Sequence, residues 1–288
     1  MVDTPTDVFP RRYIFHGNAV AAEVFLTKIA NVAQNPPVIN LVTGPSTLPV
    51  IGGISESVVP TPSILKPLAG VFSYGASRTS AEGIIVNGTP VTTVAAAVQN
   101  VRVTNRPAPG PSSNPAPLVF EATALSLTLR STHPSQDQPS IVFAEPPLFQ
   151  GLSLAGQPIS LTLNDDLMGL GRWDDLESRF RTDRAFFDGC SFGSVNGGPA
   201  AFGQGIPFQR GSFALCSFVR SINWGGREIP GHVLALPDFG AIYFGEILLN
   251  DRERRVTMVR MQLGCENAGQ AVFAETDPNG TWWPPRKI

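Results

Sequence analysis

Residues 91–104 read VTTVAAAVQNVRVT and residues 118–130 read LVFEATALSLTLR, and the fold class turns on these two words. Both are dense in the β-branched and large apolar residues that favour a pleated surface. In the second, Val119, Thr123, Leu125, Leu127 and Leu129 are expected on one face, interrupted by Glu121, with Ala, Ser and Thr on the other. Between the two words, Asn105 to Ala116 carries Pro107, Pro109, Pro111 and Pro115. Pro-rich chain stays extended and resists strand pairing, so this stretch reads as a long, stiffened hairpin loop rather than a domain linker.

Turn signals extend the same pattern outward. Gly83-Ile-Ile-Val-Asn-Gly88-Thr-Pro90-Val91 and Gly151-Leu-Ser-Leu-Ala-Gly156-Gln-Pro158-Ile159 share one spacing of Gly, Gly and Pro. Each reads as strand, tight turn, then a Pro admitted at the start of the next strand, and Asn87-Gly88 is a strong hairpin signal. Trp224-Gly225-Gly226-Arg227 looks like a third turn. Nothing around the matched words aligns, so they express a shared turn grammar and not a duplicated domain. Ala241–Leu249 and Arg255–Leu263 flank the charged segment 250–254 as a hairpin with apolar residues on both faces.

Other segments are read more coarsely. Residues 19–30 (AVAAEVFLTKIA) follow the potential N-cap Asn18 and fit either a short helix or a buried strand. From Pro36 to Leu68, short apolar words such as VINLV and LPVIGGI suggest loops and brief strands. Trp173–Arg181 is the one clear helix, with Trp173, Leu176 and Phe180 on one face and Asp175–Arg179 and Glu177–Arg181 spaced as i,i+4 pairs. Asp277 to Gly280 reads as a turn before an aromatic clamp made by Trp282 and Trp283. Many short strands without a βαβ rhythm imply a mainly β protein, an antiparallel β-sandwich or barrel-like fold with one or two short helices. We expect a single β-rich domain over 1–288, with position 150 as the place where a subdivision would fall.

Composition narrows function. In 288 residues there are 28 Gly and 27 Pro but only 15% charged residues, 3 His and 3 Cys. Catalytic sites need clustered titratable groups, which are scarce here. A net charge of -2 builds no basic face for phosphate backbones, so nucleic acid is not expected as a partner. Lysine is confined to Lys28, Lys66 and Lys287 among 21 basic residues. That bias fits a GC-rich bacterial genome, while arginine forks also suit interfaces. The acidic, Pro-punctuated start lacks a signal-peptide pattern, and no apolar run reaches the ~20 residues a membrane span needs. Cys190, Cys216 and Cys265 are odd in number and share no CxxC spacing. A soluble protein of the reducing cytoplasm is expected, with no membrane partner and leaderless export inside a particle as the alternative.

Candidate chemistry is sparse. Gly189-Cys190-Ser191-Phe192-Gly193 matches G-x-S-x-G, yet it follows a helix instead of standing between strand and helix, and only His232 and Glu228 could complete a triad. Cys190 has no nearby His or Lys to activate it, and the Asn-Gly-Thr sequons at Asn87 and Asn279 mean little without a secretory signal. His16, His133 and His232 stand alone in sequence, and Asp165, Asp166, Asp174 and Asp175 fit helix capping better than an EF-hand. No metal and no cofactor is expected.

Three functions are therefore carried forward. The first is a non-catalytic sandwich acting by self-assembly or protein binding through the Phe- and Gly-rich region 186–218, with Phe186, Phe187, Phe192, Phe202 and Phe208 as contact residues. The second is a module binding a carbohydrate or small apolar ligand through Arg172, Trp173 and Trp224. The third is an enzyme whose site assembles from the distant histidines and aspartates.

Overall fold

Asn87 and Gly88 both take left-handed backbone, with φ of 49° and 78°. Ala155–Gly156 (52° and 73°) and Gly225–Gly226 (58° and 78°) do the same. Two consecutive left-handed residues form the hairpin turn whose twist matches that of strands, so one turn geometry recurs at all three sequence signals. A computed structural model of the chain describes residues 12–28, 39–60, 71–104, 118–134, 140–169, 171–182, 191–194, 198–200, 212–237, 239–250, 254–264 and 268–283.

The chain opens with the long β1 (Arg12–Lys28), then β2 (Ile39–Thr43), β3 (Ser46–Thr47), β4 (Gly53–Val59) and β5 (Phe72–Ser73). The long strands β6 (Ser77–Val86), β7 (Thr89–Thr104) and β8 (Val119–Thr132) follow. Next come β9 (Ser140–Phe143), β10 (Leu148–Gln150), β11 (Ser153–Leu154) and β12 (Gln157–Leu163). Two helices, α1 (Asp165–Gly169) and α2 (Trp173–Thr182), lead to β13 (Ser191–Ser194), β14 (Gly198–Ala200), β15 (Ser212–Ser217), β16 (Val219–Trp224) and β17 (Arg227–Pro230). The chain closes with β18 (Val233–Leu236), β19 (Gly240–Asn250), β20 (Arg254–Leu263) and β21 (Ala268–Trp283).

These strands make two open antiparallel sheets in a sandwich, without a closed barrel. The ten-stranded sheet runs β14-β13-β15-β19-β20-β21-β1-β2, with β18 beside β19 and β3 beside β1. The eleven-stranded sheet runs β17-β16-β12-β11-β8-β7-β6-β4, with β9 and β10 beside β8 and β5 beside β7. Residues 19–28 thus belong to a strand, and the 105–117 segment, itself outside the described residues, joins the paired ends Thr104 and Val119. The 241–263 hairpin and the Trp173 helix stand where the sequence put them.

Small residues let the sheets approach closely. A Cβ on Gly17 of β1 would lie 3.0 Å from Thr92 Cγ2 and 3.1 Å from Val94 Cγ2 of β7. Ala19, Ala21, Ala22, Ala81, Ala96 and Ala274 line the same seam, each at most 1% exposed. Hydroxyls stitch it where it is polar: Thr79 Oγ1 donates to Gly44 O at 2.7 Å, and Ser46 Oγ lies 2.8 Å from Thr79 Oγ1.

Each sheet carries a transverse crease at which the inward set of residues slips by one. Along β1, Tyr13, Phe15, Ala19 and Ala21 face inward, then Ala22, Val24 and Leu26. β21 slips between Phe273 and Ala274, β20 between Met258 and Val259, and β19 between Phe244 and Ile247. The slips fall in one row, flanked by the pairs Val20↔Glu275 and Ala22↔Phe273, Thr257↔Glu275 and Val259↔Phe273, and Phe244↔Val259 and Glu246↔Thr257. Ala274 (φ 51°) and Gly245 (φ 63°) supply the left-handed residue that rotates the next side chain across the sheet. In the other sheet Asn100 (φ 50°) does so between Gln99↔Ala124 and Val101↔Ala122.

Two expectations are corrected here. Val119 and Thr123 do not join Leu125, Leu127 and Leu129 inside; Phe120 and Ala122 do, because the crease changes the alternation of β8 at Thr123. Asp277 to Gly280 form no turn: they continue β21, pairing Asp277↔Asn18, Pro278↔Gly17, Asn279↔His16 and Gly280↔Phe15. Pro278 is tolerated there because β20 pairs with β21 only as far as Thr276, so that flank needs no donor. Trp282 does clamp, donating Nε1–H to His133 O at 3.1 Å, while Trp283 is exposed.

Candidate functional site

The Phe-rich region divides at a sheet margin. Phe186, Phe187, Phe202 and Phe208 lie outside the described residues. Phe192 is on β13, opposite Ala200 of β14 and Ala214 of β15, at the end of the ten-stranded sheet. On β15 Ala214 and Cys216 turn inward, Phe213 is half-buried and Leu215 is exposed. Phe218 is core, with its ring 5.2 Å from that of Phe143 and 5.9 Å from that of Phe149. Ser191 begins β13, a strand, which is not the backbone setting of a nucleophile elbow.

Arg172, Trp173 and Trp224 do not share a site. Ile141 N donates to Gly171 O at 2.8 Å, and Ile141 faces Ser131 of β8. Trp224 Nε1 donates to Leu154 O at 3.2 Å, and Leu154 faces Phe120 of the same strand. Those anchors sit at opposite ends of β8, roughly 35 Å apart at the usual rise of a strand. Trp173 is 3% exposed, so its ring offers no face for a ligand to stack on.

The histidines have separate neighbours. His16 is exposed, 3.0 Å from Asn18 Nδ2. His133 is buried with Nε2 2.6 Å from Ser131 Oγ and its ring 5.0 Å from that of Tyr13. Burial lowers its pKa from 6.5 to about 4, so it is neutral at neutral pH. A serine–histidine contact of this kind can be a nucleophile with its base, but Ser131 is 0% exposed and no substrate reaches it. Asp165 and Asp166 open α1 and Asp174 and Asp175 open α2; Asn164 Oδ1 accepts from Leu167 N at 3.3 Å.

His232 belongs to the most developed polar cluster, on the outer face beside the crease. Arg260 grips Glu246 with two hydrogen bonds, Nε to Oε2 at 2.6 Å and Nη2 to Oε1 at 2.8 Å. Its guanidinium carbon lies 3.7 Å from the ring centroid of Tyr243, a cation–π contact. His232 Nε2 is 4.0 Å from Glu246 Oε1; burial lowers its pKa and Glu246 partly offsets this. On the neighbouring strands Thr257 Oγ1 donates to Glu275 Oε2 at 2.8 Å, and burial raises that carboxyl. Both Glu246 oxygens are committed to Arg260, which describes a lock between β19 and β20 better than a reactive base.

A cavity between the sheets is lined by Leu129, Ile141, Phe143, Ile247, Leu249 and Arg254. Its volume of about 20 Å³ is the room of one water molecule. Among the described residues no three His, Cys, Asp or Glu side chains are grouped to hold a metal, and no helix is long and apolar enough to cross a membrane.

The sequence reading passed over β4. Among the described residues it ends the eleven-stranded sheet and pairs with β6 alone, and each of its residues is exposed or half-buried. Ile54 is 68% and Val58 59% exposed, and Val50 (63%), Ile51 (87%) and Ile85 (65%) extend the apolar rim. The rim is held firmly: Phe15 N donates to Val50 O and Gly52 N to Pro49 O, both at 2.9 Å. The available signal was the alternation Ile54-Ser55-Glu56-Ser57-Val58, hidden in a segment dense in Pro, Gly and Ser.

No protein-family model, curated protein or solved structure matches the chain.

Proposed function

We propose that this chain is a non-catalytic β-sandwich protein that works by assembling with protein through the margins of its sheets. The observation that carries this reading is β4, which among the described residues is an edge strand with an outer row of backbone donors and acceptors and an exposed aliphatic rim. Such an edge templates strand addition unless something blunts it. Residues 186–218, which include the margin strands β13 and β14, form the second contact surface of this reading. Buried Cys216 fits a homo-oligomer of a reducing bacterial cytoplasm. Sedimentation velocity of the full chain from 1 to about 100 μM, a range that spans common assembly affinities, tests the reading. We expect species heavier than the 30.7 kDa chain, and a single monomeric boundary throughout would contradict it.

A further inference from the structure

We infer that β4 pairs antiparallel with β4 of a second copy of this chain, centred on Glu56, so that one sheet runs through both molecules; this rests on the assembly reading above. Four strands end the two sheet orders, and three of them are defended. β17 carries Arg227, Glu228 and Pro230; β14 carries Pro199; β2 has five residues, with Ile39 buried. β4 has seven residues, neither Lys nor Pro, and exposed aliphatics at Ile54 and Val58. Its one charge, Glu56, is answered by Arg78 of the neighbouring strand, which leaves it the least blunted of the four.

The occupant is read from the strand itself. Ile54-Ser55-Glu56-Ser57-Val58 is nearly the same in both directions about Glu56. Antiparallel pairing on that centre sets Ile54 against Val58 of the second copy on the outer face and Ser55 against Ser57 on the inner one. Aliphatic and hydroxyl pairs of this kind stabilise directly opposed positions. A closed two-fold contact uses up the β4 edge of both copies, so this contact by itself joins two chains and no more. The centre opposes two Glu56 carboxylates, which alone would repel. Arg78 on β6 answers this, with Nε 2.6 Å from Glu56 Oε1. Arg78 stands opposite Val58 and reaches Glu56 on the diagonal, so each of the two Glu56 carboxylates at the junction carries its own counter-charge.

Single substitutions Ile54→Lys and Val58→Lys test the contact in the full chain. Each should raise the dimer dissociation constant by at least about a hundredfold, since a lysine then sits twice in each junction. Arg78→Ala should weaken it too, by leaving the carboxylates unanswered. Leu148→Lys, at an exposed residue of β10 outside both contact surfaces, should leave it unchanged. Glu56→Cys gives an independent readout, because opposed Cα atoms of an antiparallel pair lie about 4.5–5.5 Å apart, within disulfide reach. Mild oxidation should link two Glu56→Cys chains, and an Ile85→Cys chain should stay single. If the wild type assembles while both lysine variants assemble equally well, or if Leu215→Lys, at the other margin, alone dissolves the complex, this inference is overturned and the assembly reading stands. A wild type that stays monomeric overturns both.

Discussion

Single side chains here do their work by being out of water. His133 is the clearest case, since burial holds it neutral with a pKa of about 4 against 6.5 in the unfolded chain. The folded state therefore binds fewer protons than the unfolded one between those values. The stability linked to this group is complete above pH 6.5 and is lost as pH falls toward 4, by about 3 kcal/mol in all. Urea midpoints measured at pH 7.5 and 5 should show about 2 kcal/mol of this loss, and His133→Gln should flatten the difference. Ala155 is the opposite case, an exposed residue in a backbone region that suits Asn or Gly, at φ 52°. Replacing it with Asn should stabilise the fold by roughly 0.5–1 kcal/mol, read from thermal unfolding. Asn87-Gly88 announced its turn by composition, whereas Ala155-Gly156 did so only by matching the same spacing. The Ser131–His133 contact was not legible: two residues with one between them share a strand face, but only the second sheet shows that the face is closed.

At the scale of elements, the sequence marks where strands lie better than which way they face. β7, β8, β19, β20 and α2 were all visible from apolar content and turn residues. The creases were not, because Ala274 and Asn100 carry no signal for left-handed backbone that survives outside its context. That is why the period-two reading of Val119 to Leu129 placed Val119 and Thr123 on the wrong face. Gly245 is the crease residue most open to test. A Cβ there would lie 2.9 Å from Val219 Cγ2 and 3.0 Å from the Phe218 ring, on a backbone at φ 63°. Gly245→Ala should cost about 2–4 kcal/mol by adding left-handed strain to overpacking of the core. Ala274→Gly, at φ 51°, should come within about 1 kcal/mol of neutral, since relief of strain offsets lost backbone order. Denaturant titration of the two variants separates a crease that needs Gly from one that merely tolerates Ala.

The whole molecule is organised by pairings that sequence order hides. β1 and β21, from the two ends of the chain, are partners over most of their lengths, and nothing local announces it. The same blindness explains why the separation of Trp173 from Trp224 could not be read from the sequence: β8 sets their anchors at opposite ends of one strand. It also explains why β4 was overlooked, since an edge is a property of a sheet and not of a strand. The scarcity of ionisable groups now has a structural counterpart. Arg260, Glu246, Arg78 and Glu56 are held in pairs that fasten strands together, while Val50, Ile51, Ile54, Val58 and Ile85 form an exposed aliphatic rim. The most direct measurement is the mass of the full chain in solution beside that of Val58→Lys, both by sedimentation velocity at micromolar concentration. We expect the wild type at about twice 30.7 kDa and the variant, with an unchanged circular dichroism spectrum, at 30.7 kDa. Equal masses for the two would contradict the account.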